Sequence, residues 1–186
     1  MKMSEHAYSD KEVIAATKDW LEEVIIGLNF CPFAKKEFVN DTIDYHVSRH
    51  SSLEYTLSEL AHKCARMEKQ PEIETCLMIY PDGYKQFETY LVLLDSAEQL
   101  LAELGFEGTF QLASFHPDYY FDGVDMDDAS NYTNRSPFPM LHIIREEGLS
   151  KVLDVYKDPE QIPEDNIRVA RDKGADYFEN ILKRHK

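Results

Sequence analysis

The sequence predicts a single α/β domain, with a mixed or parallel sheet of three to five strands and helices packed on it. Three observations lead to this class. The chain has 186 residues, a length suited to one hydrophobic core. Segments whose apolar residues recur at helical spacing alternate with short segments typical of strands. The connections between successive strands are long enough to contain a helix, which favours parallel or mixed pairing. We therefore interpret residues 1–186 as one domain.

The first element is a helix near the N-terminus. Ser9 and Glu12 form the pattern of a capping box, and apolar residues then recur at helical spacing as far as Leu28. A proline disfavours helical conformation at the residue before it, and Pro32 follows this segment closely. The helix is therefore predicted to end near Asn29.

The rest of the chain alternates strands and helices. The predicted elements are, in order, a short helix or loop over 33–41, a half-exposed strand over 43–47, a helix opening at 51–54, a central strand over 75–80, a helix over 85–104, a buried strand over 110–115 and a final helix beginning at Pro163. The segment MLHIIR at 140–145 fits either a fourth strand or the middle of a short helix, because its length does not decide between them.

The composition is that of a folded, acidic protein that we expect in the cytoplasm. Apolar residues make up 43% of the chain, and the formal net charge is −15. No apolar run is long enough to span a membrane, and the N-terminal residues lack the apolar stretch of a secretion signal. A strongly acidic surface repels nucleic acid and anionic lipid, so we expect neither as a partner, although the acidity also serves solubility. The oligomeric state does not follow from the sequence.

The cysteines and glycines limit the chemistry that the chain offers. The three cysteines, with no C-x-x-C spacing, do not predict a disulfide framework, a zinc ribbon or a redox pair. The glycine-rich loops that hold nucleotide phosphates are missing, so a nucleotide cofactor is not expected. Zinc or iron remains open as a cofactor.

The long segment between residues 115 and 140 is the best candidate for a functional site. A loop of this length is uncommon in a compact domain unless it has a function or is disordered. His116 directly follows a buried strand, at the edge where α/β sheets bind ligands, and we expect it to act as a general acid or base. The expected substrate-binding residues are Asn131 and Asn134 for neutral hydrogen bonds, and Arg135, supported by Arg145, for an anionic group.

Each of these residues also has a structural explanation. His116 would then bond a turn, Arg135 would brace the loop through backbone carbonyls, and His142 would be a hydrogen-bonded core residue.

Cys31 is the candidate nucleophile. If a short helix begins at Pro32, its N-terminus would lower the pKa of the thiol. The alternative is a buried thiol between two phenylalanines. If a metal ion is present, Cys31, His116 and His142 are its expected ligands, with water completing the shell.

Three segments of the chain resemble a known family. GLNFCPFA at 27–34, QLASFHPDYYF at 111–121 and NYTNRSPFPMLHIIRE at 131–146 are similar to a bacterial family of domains of unknown function, DUF1415. The resemblance points to Cys31, Pro32, His116, Pro117, Asn131, Asn134, Arg135, Ser136, Pro137, His142, Arg145 and Glu146 as signature residues. It implies where a site lies and implies no particular reaction.

The leading hypothesis is an enzyme that acts on a small polar or anionic molecule. Cys31 and His116 would do the chemistry in a pocket closed by the 116–139 loop, and that pocket would be bounded by Cys31, His116 and Arg135. The alternative is a non-catalytic domain that binds a small molecule, a metal or a protein. In a third interpretation the whole motif only holds the loop in shape.

Overall fold

The fold is a four-stranded sheet with helices on both faces, as the sequence predicts. A computed structural model describes residues 7–185 of the chain. The strands are β1 (Ile43–Val47), β2 (Thr75–Ile79), β3 (Phe110–Phe115) and β4 (Met140–Arg145). Their order in space is β1-β2-β4-β3. β1 is parallel to β2, whereas β4 runs antiparallel to both of its neighbours, so the sheet is mixed.

Two layers of helices cover the sheet. The helices within residues 7–185 are α1 (Asp10–Trp20), α2 (Ala34–Val39), α3 (Leu53–Lys69), α4 (Phe87–Glu103), α5 (Glu146–Leu153), α6 (Ile162–Lys173) and α7 (Ala175–Lys183). A π-helical turn, Leu21–Ile26, continues α1, and 3-10 turns span Ala129–Thr133 and Pro159–Gln161. α3 and α4 pack on one face of the sheet, and α1, α6 and α7 pack on the other. None of the helices in this part of the chain combines the length and apolarity needed to cross a membrane.

The segment left open in the sequence, 140–145, is strand β4. Alternate residues of β4 contact different helix layers: Leu141 and Ile143 pack on the side of α3 and α4, and Met140 packs on the opposite side. β4 is covered by strands at both edges and by helices on both faces, which explains its nearly continuous apolar sequence. The strand register places His142 opposite Leu77 of β2 and Ala113 of β3.

The N-terminal helix begins and ends as predicted. Ser9 and Glu12 form both bonds of the capping box. The helical conformation stops before Asn29, whose φ of 56° cannot continue a helix.

The C-terminal half differs from the prediction in two ways. The predicted final helix is two helices, because Gly174 at φ 80° breaks the chain between α6 and α7. Helix α5 was not predicted, and no residue of α5 is fully buried. A short amphipathic helix that buries so little leaves a weak pattern in the sequence.

Candidate functional site

A cavity of about 540 Å³ lies between the edge strand β3, the 116–139 loop and helix α6. Its walls are mostly apolar, and they come from four parts of the chain. The lining residues are Ile25, Phe30 and Cys31 from the end of the first helical segment, Ala113 and Phe115 from β3, Phe121, Val124, Ser130, Thr133 and Asn134 from the loop, and Pro163, Asn166, Ile167 and Arg171 from α6. Ligand cavities in proteins typically measure about 300–1,000 Å³ and are largely apolar with a few polar groups.

Cys31 lies in the wall of this cavity. It is half-buried, whereas Cys64 and Cys76 are fully buried in the core on the other side of the sheet. The helix expected to begin at Pro32 begins instead at Ala34, so Cys31 is not its cap. Burial raises the pKa of the Cys31 thiol, and the backbone N–H groups of Ala34 and Phe33 oppose this rise only in part. The predicted lowering of the pKa is therefore wrong, because desolvation outweighs the effect of these backbone N–H groups.

His116 lies on the opposite side of the sheet from Cys31. Its ring is fully buried between Phe87 and Tyr90, with ring centroids 5.2 Å from each. Nε2 lies 2.9 Å from the carbonyl oxygen of Tyr84, and Nδ1 accepts from the N–H of Asp118 at 3.0 Å. Both ring nitrogens are therefore occupied in the neutral tautomer. Burial also lowers the pKa of His116, against the opposing effect of the Tyr84 carbonyl.

The expected pocket between Cys31, His116 and Arg135 is not formed, because neither His116 nor Arg135 reaches the cavity wall. The guanidinium of Arg135 donates from Nε to the carbonyl oxygen of Tyr119 at 2.9 Å and from Nη2 to that of Met126 at 2.8 Å. It also lies 4.6 Å from the ring centre of Tyr132. Arg135 thus braces the loop, the structural alternative considered above.

Asn131 has the same role inside the loop. Its side chain is fully buried and accepts from the N–H of Phe121 at 3.1 Å. The amide group donates to the carbonyl oxygens of Asp125 at 2.8 Å and Met126 at 3.2 Å. Both donors of the amide group and one acceptor position of its oxygen are used by the loop backbone, so the side chain of Asn131 holds the loop in shape.

Asn134 is the one predicted substrate-binding residue that lines the cavity. Its amide group donates to the carbonyl oxygen of Ser114 at 3.0 Å, and its oxygen accepts from the hydroxyl of Thr133 at 3.0 Å. The backbone carbonyl of Asn134 accepts from the N–H of His116 at 3.1 Å. Asn134 thus fastens the loop to the end of β3 and forms part of the wall at the same place.

Arg145 lies at the other end of β4 from the loop. Its Nη2 atom donates to the carbonyl oxygens of Met67 at 2.8 Å and Ile73 at 3.0 Å. The guanidinium lies 5.3 Å from the ring centre of Phe110. The expectation that Arg145 supports Arg135 is therefore wrong. Arg135 lies in the loop that precedes β4, Arg145 is the last residue of β4, and the two ends of a strand of this length are roughly 17 Å apart.

His142 lies behind the cavity wall rather than in it. It is 9% exposed, it shares a sheet face with its cross-strand neighbour Ala113, and its Nε2 atom is hydrogen-bonded to the hydroxyl of Thr75. Burial lowers the pKa of His142 to about 4.

The conditional zinc or iron site of Cys31, His116 and His142 is also not formed. His116 is separated from the other two residues by the sheet. Among residues 7–185, no group of three or more histidine, cysteine, aspartate or glutamate side chains is arranged to hold a metal ion.

The sequence analysis missed the contribution of helix α6. Asn166 donates to the carbonyl oxygen of Phe30 at 2.7 Å and so joins α6 to the segment that carries Cys31. Arg171 forms an ion pair with Asp128 of the loop at 2.9 Å. Pro163, Ile167 and Arg171 recur at intervals of four, the spacing of one helix face, and this is the signal that could have indicated a shared surface.

The fold and the site together define an α/β domain that contains a ligand-sized, mostly apolar cavity. The comparisons with known proteins identify its family. The family model described as "Protein of unknown function (DUF1415)" matches residues 12–180, and the chain therefore belongs to this family, as the sequence resemblance implied. The comparison with curated proteins gave no match. The comparison with solved structures gave none either.

Proposed function

We propose that this protein binds a small organic molecule in the cavity between β3, the 116–139 loop and α6. The observation that carries the proposal is the cavity itself, with a volume of about 540 Å³ and walls from four separate parts of the chain. A mostly apolar cleft of this size with a few polar groups is typical of the sites where proteins bind small molecules, which supports a binding role.

The cavity is reachable from solvent. Pro163 and Arg171 in its wall are exposed, and Cys31 and Ala113 are only half-buried. A ligand can therefore enter without unfolding the domain.

Catalysis at Cys31 is a second candidate, favoured by the position of its thiol in the cavity wall. The backbone N–H groups of Phe33 and Ala34 favour the charged form of the thiol and would stabilise negative charge that develops on the sulfur. In this form the enzyme hypothesis no longer depends on His116, whose nitrogens are both occupied. The ligand-binding function remains the simpler proposal, because it requires no proton-transfer partner for Cys31.

We also propose that the protein acts in the cytoplasm and does not bind nucleic acid. The support is its net charge of −15, which repels other polyanions.

A fragment screen with a cavity-filling variant tests the proposed function. Ala113 lies in the cavity wall on an edge strand, where an aromatic residue is compatible with strand structure, so Ala113→Phe should fill the cavity and keep the fold. Ala102→Phe, at an exposed position of α4, is the matched control. Ligand-observed NMR should find fragments that bind the wild type and Ala102→Phe but not Ala113→Phe.

The fluorescence of Trp20 provides an independent readout. It is the only tryptophan, and its ring centroid lies 5.2 Å from that of Phe115 in the cavity wall. Bound fragments should therefore change its emission. The proposed function is overturned if no fragment binds, or if the fragments bind Ala113→Phe as tightly as the wild type.

A further inference from the structure

The cavity carries no net charge at its wall. Arg171 is the only charged side chain among the lining residues. Its guanidinium donates to both carboxylate oxygens of Asp128, from Nε at 3.1 Å and from Nη2 at 2.9 Å. Asp128 also accepts from the N–H of Ser130 at 2.8 Å. These contacts hold the pKa of Asp128 well below its usual range, so the cation is neutralised by a carboxylate that stays ionised near neutral pH.

Apart from this ion pair, two titratable groups near the cavity, Cys31 and His142, are uncharged at neutral pH. Burial raises the pKa of Cys31 above that of a free thiol, so the group is present as S–H. His142, behind the wall, has a pKa lowered to about 4 and is therefore neutral. An anionic ligand would find no unpaired positive charge among these groups.

The polar side chains of the wall are largely occupied by the protein. The Asn134 amide group donates within the chain, and the single hydroxyl proton of Thr133 lies within hydrogen-bond distance of both the Asn134 oxygen, at 3.0 Å, and the Ser130 carbonyl oxygen, at 2.9 Å. Asn166 uses one of its two amide N–H donors on the Phe30 carbonyl. The oxygen of Asn166 accepts from no residue in the described chain, so it offers one acceptor to a ligand that carries an N–H or O–H group.

Three aromatic side chains, Phe30, Phe115 and Phe121, supply much of the apolar wall. Aromatic walls favour flat, apolar molecules that stack or pack edge-to-face. The volume is about 540 Å³. A cavity of about 150 Å³ accepts one benzene, so this cavity has room for more than one ring.

We propose that the ligand of this cavity is a neutral molecule with one or two aromatic rings and a hydrogen-bond donor for the oxygen of Asn166. This inference rests on the proposed function and replaces the small anionic ligand expected from the sequence. A carboxylate or phosphate entering the cavity would lose its hydration and gain no free cation, which is a large cost.

Two compounds of matched shape test the charge preference: 2-naphthamide, which is neutral, and 2-naphthoate, which is anionic. Their affinities are measured by ligand-observed NMR near neutral pH with the full chain. We expect the amide to bind at least tenfold more tightly. Equal or tighter binding of naphthoate overturns the inference while the proposed function stands. Binding of neither compound also overturns it, even if other fragments bind. The proposed function is overturned as well if no fragment binds, or if fragments bind Ala113→Phe as tightly as the wild type.

Two variants test the mechanism of this preference. Asp128→Asn releases the cation of Arg171 and keeps a good capping residue for the 3-10 turn, so it should tighten naphthoate binding several-fold. Asp127→Asn, at the exposed neighbouring position, should leave naphthoate binding unchanged. Asn166→Leu should weaken binding of the amide more than that of unsubstituted naphthalene. If Asp128→Asn acts no differently from Asp127→Asn, Arg171 does not control the charge of the cavity and the inference fails.

Discussion

The sequence suggested that His116 transfers protons, whereas its contacts in the structure indicate a structural role. Replacement of His116 by leucine distinguishes these two roles. Leucine is close to histidine in size and keeps the apolar contacts with Phe87 and Tyr90, but it removes both hydrogen bonds of the ring. The carbonyl of Tyr84 then lies without a partner in a buried position. The N–H of Asp118 belongs to an exposed residue and can bond water instead.

The expected cost follows from this difference. A buried acceptor left unpaired costs about 1–3 kcal/mol, and a solvated donor costs little, so His116→Leu should destabilise the fold by about 2 kcal/mol. For a domain of this size that corresponds to a fall in Tm of about 4–8 °C. Urea titration followed by Trp20 fluorescence measures the free energy of unfolding.

A matched control is His62→Leu, at an exposed position of α3, which should change the free energy of unfolding by less than about 0.5 kcal/mol. Fragment binding to His116→Leu should match the wild type wherever the variant is folded, because His116 lies outside the cavity wall. The reasoning is refuted if His116→Leu is as stable as the wild type and yet loses binding or activity.

Three further predictions follow from the same contacts. Limiting iodoacetamide and peptide mapping should label Cys31 before Cys64 or Cys76, since only Cys31 is not fully buried; earlier labelling of either core thiol would contradict this. The pKa of His142 is about 4 in the folded protein and about 6.5 in the unfolded chain. The contribution of neutral His142 to the free energy of unfolding is therefore complete above a pH of about 6.5 and is lost as the pH falls to 4. That contribution is about 3 kcal/mol, and urea titrations at several pH values should show a shallower acid-side loss in His142→Phe; an unchanged slope would count against it. Asn131→Ala should cost about 2 kcal/mol, measured in the same way, because it leaves the N–H of Phe121 without a partner, whereas the carbonyls of Asp125 and Met126 keep the Asp128 N–H and the Arg135 guanidinium; a cost below about 1 kcal/mol would show that the loop does not depend on it.

Much of the fold was accessible from the sequence because apolar spacing reports burial directly. The strands at 75–79 and 110–115 and the helices at 53–69 and 87–103 each bury a continuous face, and each was predicted within a few residues. Strand β4 could not be decided, because a short segment buried on both sides has neither the spacing of a helix nor the alternation of a strand. Its position between β2 and β3 depends on pairing partners that are far away in the sequence.

The loop that the sequence indicated forms one wall of the cavity, but the roles of its residues were not predictable. Histidine, asparagine and arginine bind ligands, and the same groups satisfy the backbone of a long buried loop, which must hydrogen-bond nearly all of its N–H and C=O groups. The sequence contains nothing that separates these uses at His116, Asn131 or Arg135. The structure separates them, because the partners of all three are backbone atoms.

The residues that hold the loop nevertheless determine the cavity. Asn134 links the loop to β3, and Arg171 links it to α6 through Asp128, so the loop wall is fixed from both sides. A substitution at a bracing residue such as Arg135 would therefore weaken ligand binding by moving the wall, without any contact to the ligand. Loss of binding in such a variant therefore identifies a residue that contacts the ligand only if the measured stability of the same variant is unchanged. Cys31 and Asn166 differ from the bracing residues, because each lines the cavity and carries a group that the loop does not use: a thiol at Cys31 and an amide oxygen at Asn166. Substitutions at these two positions that change affinity at constant stability would identify the groups that contact the ligand.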